Sequence, residues 1–210
     1  MAACEQGSPS SCRVVHTLFA QGRTVQQNTP LSLYFRKRAQ VYYAAALTRW
    51  GRQCKEGRAE ACMNVGMTLR DGLGGERDAS RAVAALHKAA TLFKEGCTLR
   101  RVGADCYRAA RVYTKGFSGV KPLAGERGFR KAKRALLLKM YRLGCELRSG
   151  EACHAYGELA RTGKYMKKDL SLAKELYQKA CSLLAPGILR KLSCTYAKGE
   201  RPTLTRTPTK

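Results

Sequence analysis

Ten cysteines, at positions 4, 12, 54, 62, 97, 106, 145, 153, 181 and 194, constrain this chain more than anything else in it. They read as five sequential pairs with none left over, three of them spaced by eight residues, one by nine and one by thirteen. Even pairing of this kind points to disulfides. Recurrence of the pairs every few dozen residues points to a repeat array. Alignment on the cysteines exposes the register. Ten residues after the second cysteine stand Gly22, Gly72, Gly116 and Gly163. Four residues before the first cysteine of the next pair stand Trp50, Phe93, Tyr141 and Tyr177, and four before those Ala46, Ala89, Leu137 and Ala173. Offsets three and seven after the second cysteine give Val15 and Phe19, Val65 and Leu69, Ala109 and Tyr113, Tyr156 and Ala160. Both sets have helical spacing.

Each unit therefore predicts a helix A of about ten residues, closed by a glycine suited to the left-handed position beyond a helix C-terminus. A second helix, B, follows a loop. Its starts carry Pro30, Asp78, Pro122 and Asp169, residues that suit a first helical position or an N-cap. Eight residues of continuous helix would separate two Cα atoms by ~12 Å, beyond the ~7 Å reach of a disulfide, so the chain must reverse within each pair. Gly7, Gly57, Gly103, Gly150 and Gly187 lie inside the five intervals and are expected to make those turns. A bridge there would tie the end of one helix B to the start of the next helix A, each closed loop contributing about 2–3 kcal/mol. Zinc would need C-x2-4-C type spacing, which the sequence lacks, and His16, His87 and His154 are scattered. A redox switch would call for one odd, exposed thiol.

Forty Lys and Arg against fifteen Asp and Glu give a formal charge of +25. A polyanionic neighbour is the expectation. No acidic residue occurs from Gln6 to Lys55, and the stretch between Glu126 and Glu146 is densely basic. Within it Arg130, Lys131, Lys133, Arg134 and Lys139 form the candidate contact surface, expected to point outward while Ala135, Leu138 and Tyr141 face inward. No apolar run approaches the ~18 residues of a membrane span, and the opening residues lack a secretory layout, so a soluble chain is expected.

The segment "SGEACHAYGELARTGKYMKKDLSLAKELYQKAC", residues 149–181, resembles the Sel-1-like repeat, a relative of the tetratricopeptide repeat, and "AEACMNVGMTLRDGLGGERDASRAVAALHKAA" is similar. The resemblance implies an all-α, right-handed α-solenoid of antiparallel helix pairs over residues 1–200. Four units and a partial fifth are expected, followed by a tail at 201–210 that composition predicts to be disordered on its own. Spacing and resemblance together imply the bridges Cys4–Cys12, Cys54–Cys62, Cys97–Cys106, Cys145–Cys153 and Cys181–Cys194. Disulfide-bearing members divide between secreted bacterial proteins and a mitochondrial intermembrane-space branch linked to respiratory-chain assembly. The latter implies oxidation without a cleaved presequence, and is the expected placement. A periplasmic or secreted bacterial protein is the alternative.

No catalytic constellation emerges. Ser118 with Lys121 and Ser171 with Lys174 match S-x-x-K, but neither S-D-N nor K-T-G accompanies them. Gly157 to Lys164 has the wrong glycine spacing for a phosphate loop, and Tyr165 stands where Ser or Thr is needed. The expectation is a non-enzymatic scaffold or accessory subunit without cofactor or metal. Its partners would be other protein subunits, with anionic lipid (cardiolipin) or RNA as further polyanions. The alternatives are an RNA-contacting mitoribosomal protein and a secreted penicillin-binding repeat protein.

Overall fold

The computed structural model describes residues 1–22, 24–116 and 126–200, with side chains outside 115–133. The expected helix start at Pro122, and the tail, lie outside them. The chain divides into two compact units, one built on Met1–Leu92 and the other on Phe93–Lys115 with the residues from Pro122 on. All elements described are helices: α1 (Ala2–Glu5), α2 (Pro9–Gln21), α3 (Thr29–Lys55), α4 (Ala59–Asp71), α5 (Ala79–Thr98), α6 (Gly103–Arg111), α7 (Glu126–Glu146), α8 (Gly150–Thr162), α9 (Leu170–Leu183) and α10 (Ile188–Ala197).

Helix A of the repeat is α2, α4, α6 and α8. In three of them the glycine closes the helix in the left-handed region, with φ 64° at Gly22, 66° at Gly72 and 73° at Gly163. The fourth differs, since α6 runs into a π-helical turn over Val112–Gly116. In that turn the Thr114 hydroxyl donates to the carbonyls of Ala110 and Arg111 at 3.1 and 3.2 Å. Gly116 is thus part of that turn rather than a cap after an α-helix.

Helix B is entered the same way in the three repeats whose entry is described. The side chains of Asn28, Asp78 and Asp169 accept the amides of Leu31, Arg81 and Leu172 at 2.9 Å. Their own amides donate to the carbonyls of Phe19, Leu69 and Ala160, all seven residues after the second cysteine. In the first repeat the cap is Asn28 and Pro30 sits one position inside the first helical residue, Thr29. From cap to cysteine, Asp169–Cys181, Asp78–Cys97 and Asn28–Cys54 measure 12, 19 and 26 residues. Helix B lengthens in steps of seven, within ~20° of two full turns, so the cysteine returns to one face.

All five sequential pairs are bridged, with Cα atoms 4.5 to 4.9 Å apart. Every bridge joins the last turn of one helix, or α1, to the helix that follows. The reversals correct one expectation. Gly7 and Gly57 do turn the chain, at φ 85° and 86°, but in the third and fourth intervals Arg101 and Arg148 take the left-handed position, at 58° and 62°. Gly103 and Gly150 are instead the first residues of α6 and α8. A Cβ on Gly103 would lie 2.5 Å from the Leu147 carbonyl oxygen, and one on Gly150 would lie 2.7 Å from Leu184 Cγ. These glycines serve close packing.

In the first unit α2 packs on α3 and α3 on α4, around Cys4, Cys12, Val15, Phe35, Ala39 and Tyr43. A Cβ on Gly66 would lie 2.5 Å from Leu86 Cγ, so its absence lets α5 seat on α4. In the second unit α6 packs on α7, α7 on α8, α8 on α9 and α9 on α10. Phe93, Tyr141 and Tyr177 of the aromatic stripe are buried. Trp50 is only half-buried, tilted against Tyr43 with centroids 6.5 Å apart. An indole is too large for full burial at the edge of this small core. The inward residues of α7 are Leu137, Met140 and Tyr141, whereas Ala135 is exposed and Leu138 intermediate, a corrected face for that helix.

Candidate interaction surfaces

Each unit has a cluster of charged and tyrosine side chains between its helices A and B, and the two differ in how their arginines are paired. In the second unit, α8 places Glu158 and Arg161 one turn apart, and α9 brings Tyr177 against them. Arg161 donates through both its Nη2 and Nε to the carboxylate, at 2.6 and 3.2 Å, and the Tyr177 hydroxyl donates to Glu158 Oε1. Tyr177 stacks on Tyr196 with centroids 4.8 Å apart, and the Arg161 guanidinium lies 5.1 Å from the Tyr196 centroid. Burial pushes the Glu158 carboxyl up, but the hydrogen bonds from Arg161 and Tyr177 outweigh it and hold it below its ordinary value. Burial, reinforced by Glu158, pushes the Tyr177 phenol far up. The Glu158 carboxylate is therefore spoken for.

In the first unit a groove of about 310 Å³ runs between α2, α3 and the turn after α4. Arg13, His16 and Thr17 line it from α2, Arg36 and Tyr43 from α3, and Asp71 from the end of α4. His16 Nδ1 lies 3.0 Å from the Ser32 carbonyl oxygen, so this nitrogen is the donor. Asp71 is gripped by Arg70, at 2.7 and 2.9 Å. Arg13 and Arg36 have no ion pair among the described residues. Burial pushes the Tyr43 phenol up, and the Arg13 charge works against it. Thr17 stands five residues after its cysteine, the position that Glu158 holds in α8. Both places thus hold a clamped carboxylate, Glu158 on Arg161 and Asp71 on Arg70, but in the first groove the exposed Arg13 and Arg36 remain without a carboxylate of their own among the described residues.

His154 Nδ1 lies 2.9 Å from the hydroxyl of the fully buried Ser193. That hydroxyl donates to the Leu189 carbonyl, so the imidazole must be the donor in the pair. A serine nucleophile needs the reverse polarity. Ser171 and Lys174 are exposed on α9, and Ser118 lies outside the described residues.

Of the predicted basic surface, Lys139 is exposed. The exposed Arg134 is not wholly free, since its Nε donates to the Tyr165 carbonyl at 2.6 Å and fastens the loop after α8. The side chains of Arg130, Lys131 and Lys133 lie outside the described ones. Sequence reasoning missed Arg13, Arg36, Glu158 and Arg161. The signal for the last two was a Glu and Arg three apart on one helix, and for the first two only their place in an acid-free stretch.

The Sel1 repeat family model matches residues 59–92 and 140–183. These two stretches, under half of the chain, are what is similar to Sel1 repeats. The chain's fold is all-α, of the helix-pair class that builds solenoids, and its five disulfides match a cysteine-rich branch of that family. Such repeats are in general non-catalytic, and the role they point to is a scaffold for protein–protein contacts. Among solved structures, a Sel1 repeat protein from Oxalobacter formigenes is 16% identical, with 86% of this chain and 76% of that one covered and a TM-score of 0.46. The protective antigen c5321 of uropathogenic Escherichia coli, which displays an SLR fold, is 18% identical, with 85% of this chain covered and a TM-score of 0.34. The match spans about half of that second protein, 47% of its length. No curated protein matches the chain.

Proposed function

We propose that the protein is a non-enzymatic scaffold or structural accessory subunit of a larger assembly in the mitochondrial intermembrane space, meeting acidic surfaces of other subunits and anionic lipid there. The observation that carries this reading is a bridge at every junction between helix pairs, which requires an oxidising compartment. The charge of +25 favours anionic partners. No helix among the described residues is long and apolar enough to cross a membrane. Alkylation of thiols in intact cells, with fractionation, tests the placement: reduced cysteines or a cytosolic pool sinks it. Co-purification from native membranes, with blue-native electrophoresis, tests the scaffold. A chain that migrates only as a free monomer is no subunit. Arg130→Glu/Lys131→Glu/Lys133→Glu, which spares the Arg134 contact, should release the protein at moderate salt. Unchanged stoichiometry would reduce that segment to a solvated face.

A further inference from the structure

We infer that the groove between α2 and α3 is a carboxylate-binding site that takes an Asp or Glu side chain of an acidic segment of a partner protein, with Arg13, Arg36 and the Tyr43 hydroxyl as the donors. The inference rests on the scaffold reading and names its anchor.

The second unit supplies the template. There a guanidinium and a buried tyrosine hydroxyl together hold one carboxylate, and that carboxylate comes from the helix A position five residues after the cysteine. In the first unit helix A offers Thr17 at this position, yet the groove keeps two arginines and a tyrosine. The acid in the groove's lining, Asp71, has both oxygens on Arg70. The cations are thus left to an external anion. Charge complementarity gives the same answer on a wider scale, since no acidic residue occurs between Gln6 and Lys55. A planar guanidinium fork suits a carboxylate in two-point geometry. The apolar floor of Ala39 and Leu73 gives the methylene stem of Asp or Glu a surface to lie on. That floor favours a side chain over a bare inorganic anion.

The groove has a built-in reporter. Trp50 is the sole tryptophan of the chain, and it packs against Tyr43. Occupation of the site should alter its emission. The experiment titrates the full, oxidised chain with hexaglutamate, followed by Trp50 fluorescence and by anisotropy of a fluorescein-labelled copy. Saturable binding with a change in emission is expected. Arg13→Gln/Arg36→Gln should weaken it at least fivefold, and Tyr43→Phe about threefold. Arg190→Gln/Lys191→Gln, an equal loss of charge on α10, should leave it within twofold. Inorganic phosphate should compete no better than chloride at equal ionic strength.

Equal weakening by the two double variants would show a general charge effect and overturn the site. Competition by millimolar phosphate would make it a phosphate site and overturn the carboxylate assignment. Absence of hexaglutamate binding overturns it as well. Co-purification separates the two levels of the reading: if Arg13→Gln/Arg36→Gln keeps every partner of the wild type, the scaffold stands and the groove falls. Circular dichroism and the thiol count of each variant confirm that both units and all bridges persist.

Discussion

Gly150 and Arg148 stand two residues apart, and the structure assigns them opposite jobs from those their types suggest. Gly150→Ala puts a Cβ 2.7 Å from Leu184 Cγ, 3.0 Å from its Cδ2 and 3.1 Å from its backbone nitrogen. Rotation of the leucine relieves the first two contacts but not the third. Overpacking of this kind costs about 1–3 kcal/mol. Alanine returns at most about 1 kcal/mol of helix propensity, and less at the first helical position. A net loss of about 1–2 kcal/mol should lower Tm by about 2–8 °C in a chain of this size. Arg148→Gly acts the other way. Holding an L-residue in the left-handed region costs about 1–2 kcal/mol, and glycine's greater freedom in the unfolded chain offsets about 0.5–1 of that. A gain of about 0.5–1 kcal/mol is expected. Calorimetry of the oxidised proteins decides. Gly150→Ala melting at or above the wild type would refute the packing account, and Arg148→Gly melting below the wild type would refute the assignment of the left-handed turn to Arg148.

Tyr177→Ala removes a buried ring and both of its polar contacts and should cost about 3–5 kcal/mol, whereas Trp50→Ala, at a half-buried position, should cost about half as much; urea unfolding of the two variants measures the difference. Acidification should destabilise the second unit through His154, whose imidazole is held below its ordinary value by burial, with Glu158 opposing and Arg161 assisting. The folded state disfavours the proton, so this contribution is present above the unfolded pKa of ~6.5 and is lost as pH falls below it. His154→Gln should flatten the fall in Tm between pH 7 and 5, and an unchanged slope would place the sensitivity elsewhere.

Much of the fold was legible because its determinants are local. A cap, a 3.6-residue stripe and a closing glycine each act within one or two turns, and the Asn28, Asp78 and Asp169 entries show the same bonds in the same register. What failed depends on neighbours remote in sequence. Gly103 looks like a turn until the Leu147 carbonyl is found against it. The π-helical turn over Val112–Gly116 is not announced by the glycine register, which reads the same in all four repeats. The candidate site was less legible still. Lysine and arginine are so common here that composition could not separate Arg13 and Arg36, which line one groove, from those that only solvate a helix. Nor could it show Arg134 bound to the Tyr165 carbonyl.

The seven-residue steps of helix B explain how the repeats diverge without losing their bridges. A cysteine near the end of helix B must meet one at the fourth position of the next helix A, and a helix extended by an arbitrary number of residues would turn that cysteine away. Seven residues leave it ~20° from its former direction, within the play of a side chain. The added turns then enlarge the surface of helix B while its ends stay fixed. In the first repeat they produce the 27-residue α3. Arg36 sits eight residues after the cap Asn28, as Tyr177 does after Asp169, and Tyr43 sits seven further on. Lengthening the helix thus added a position one step along, and the exposed Arg36 with the buried Tyr43 gives the first groove both a guanidinium and a phenol from a single helix.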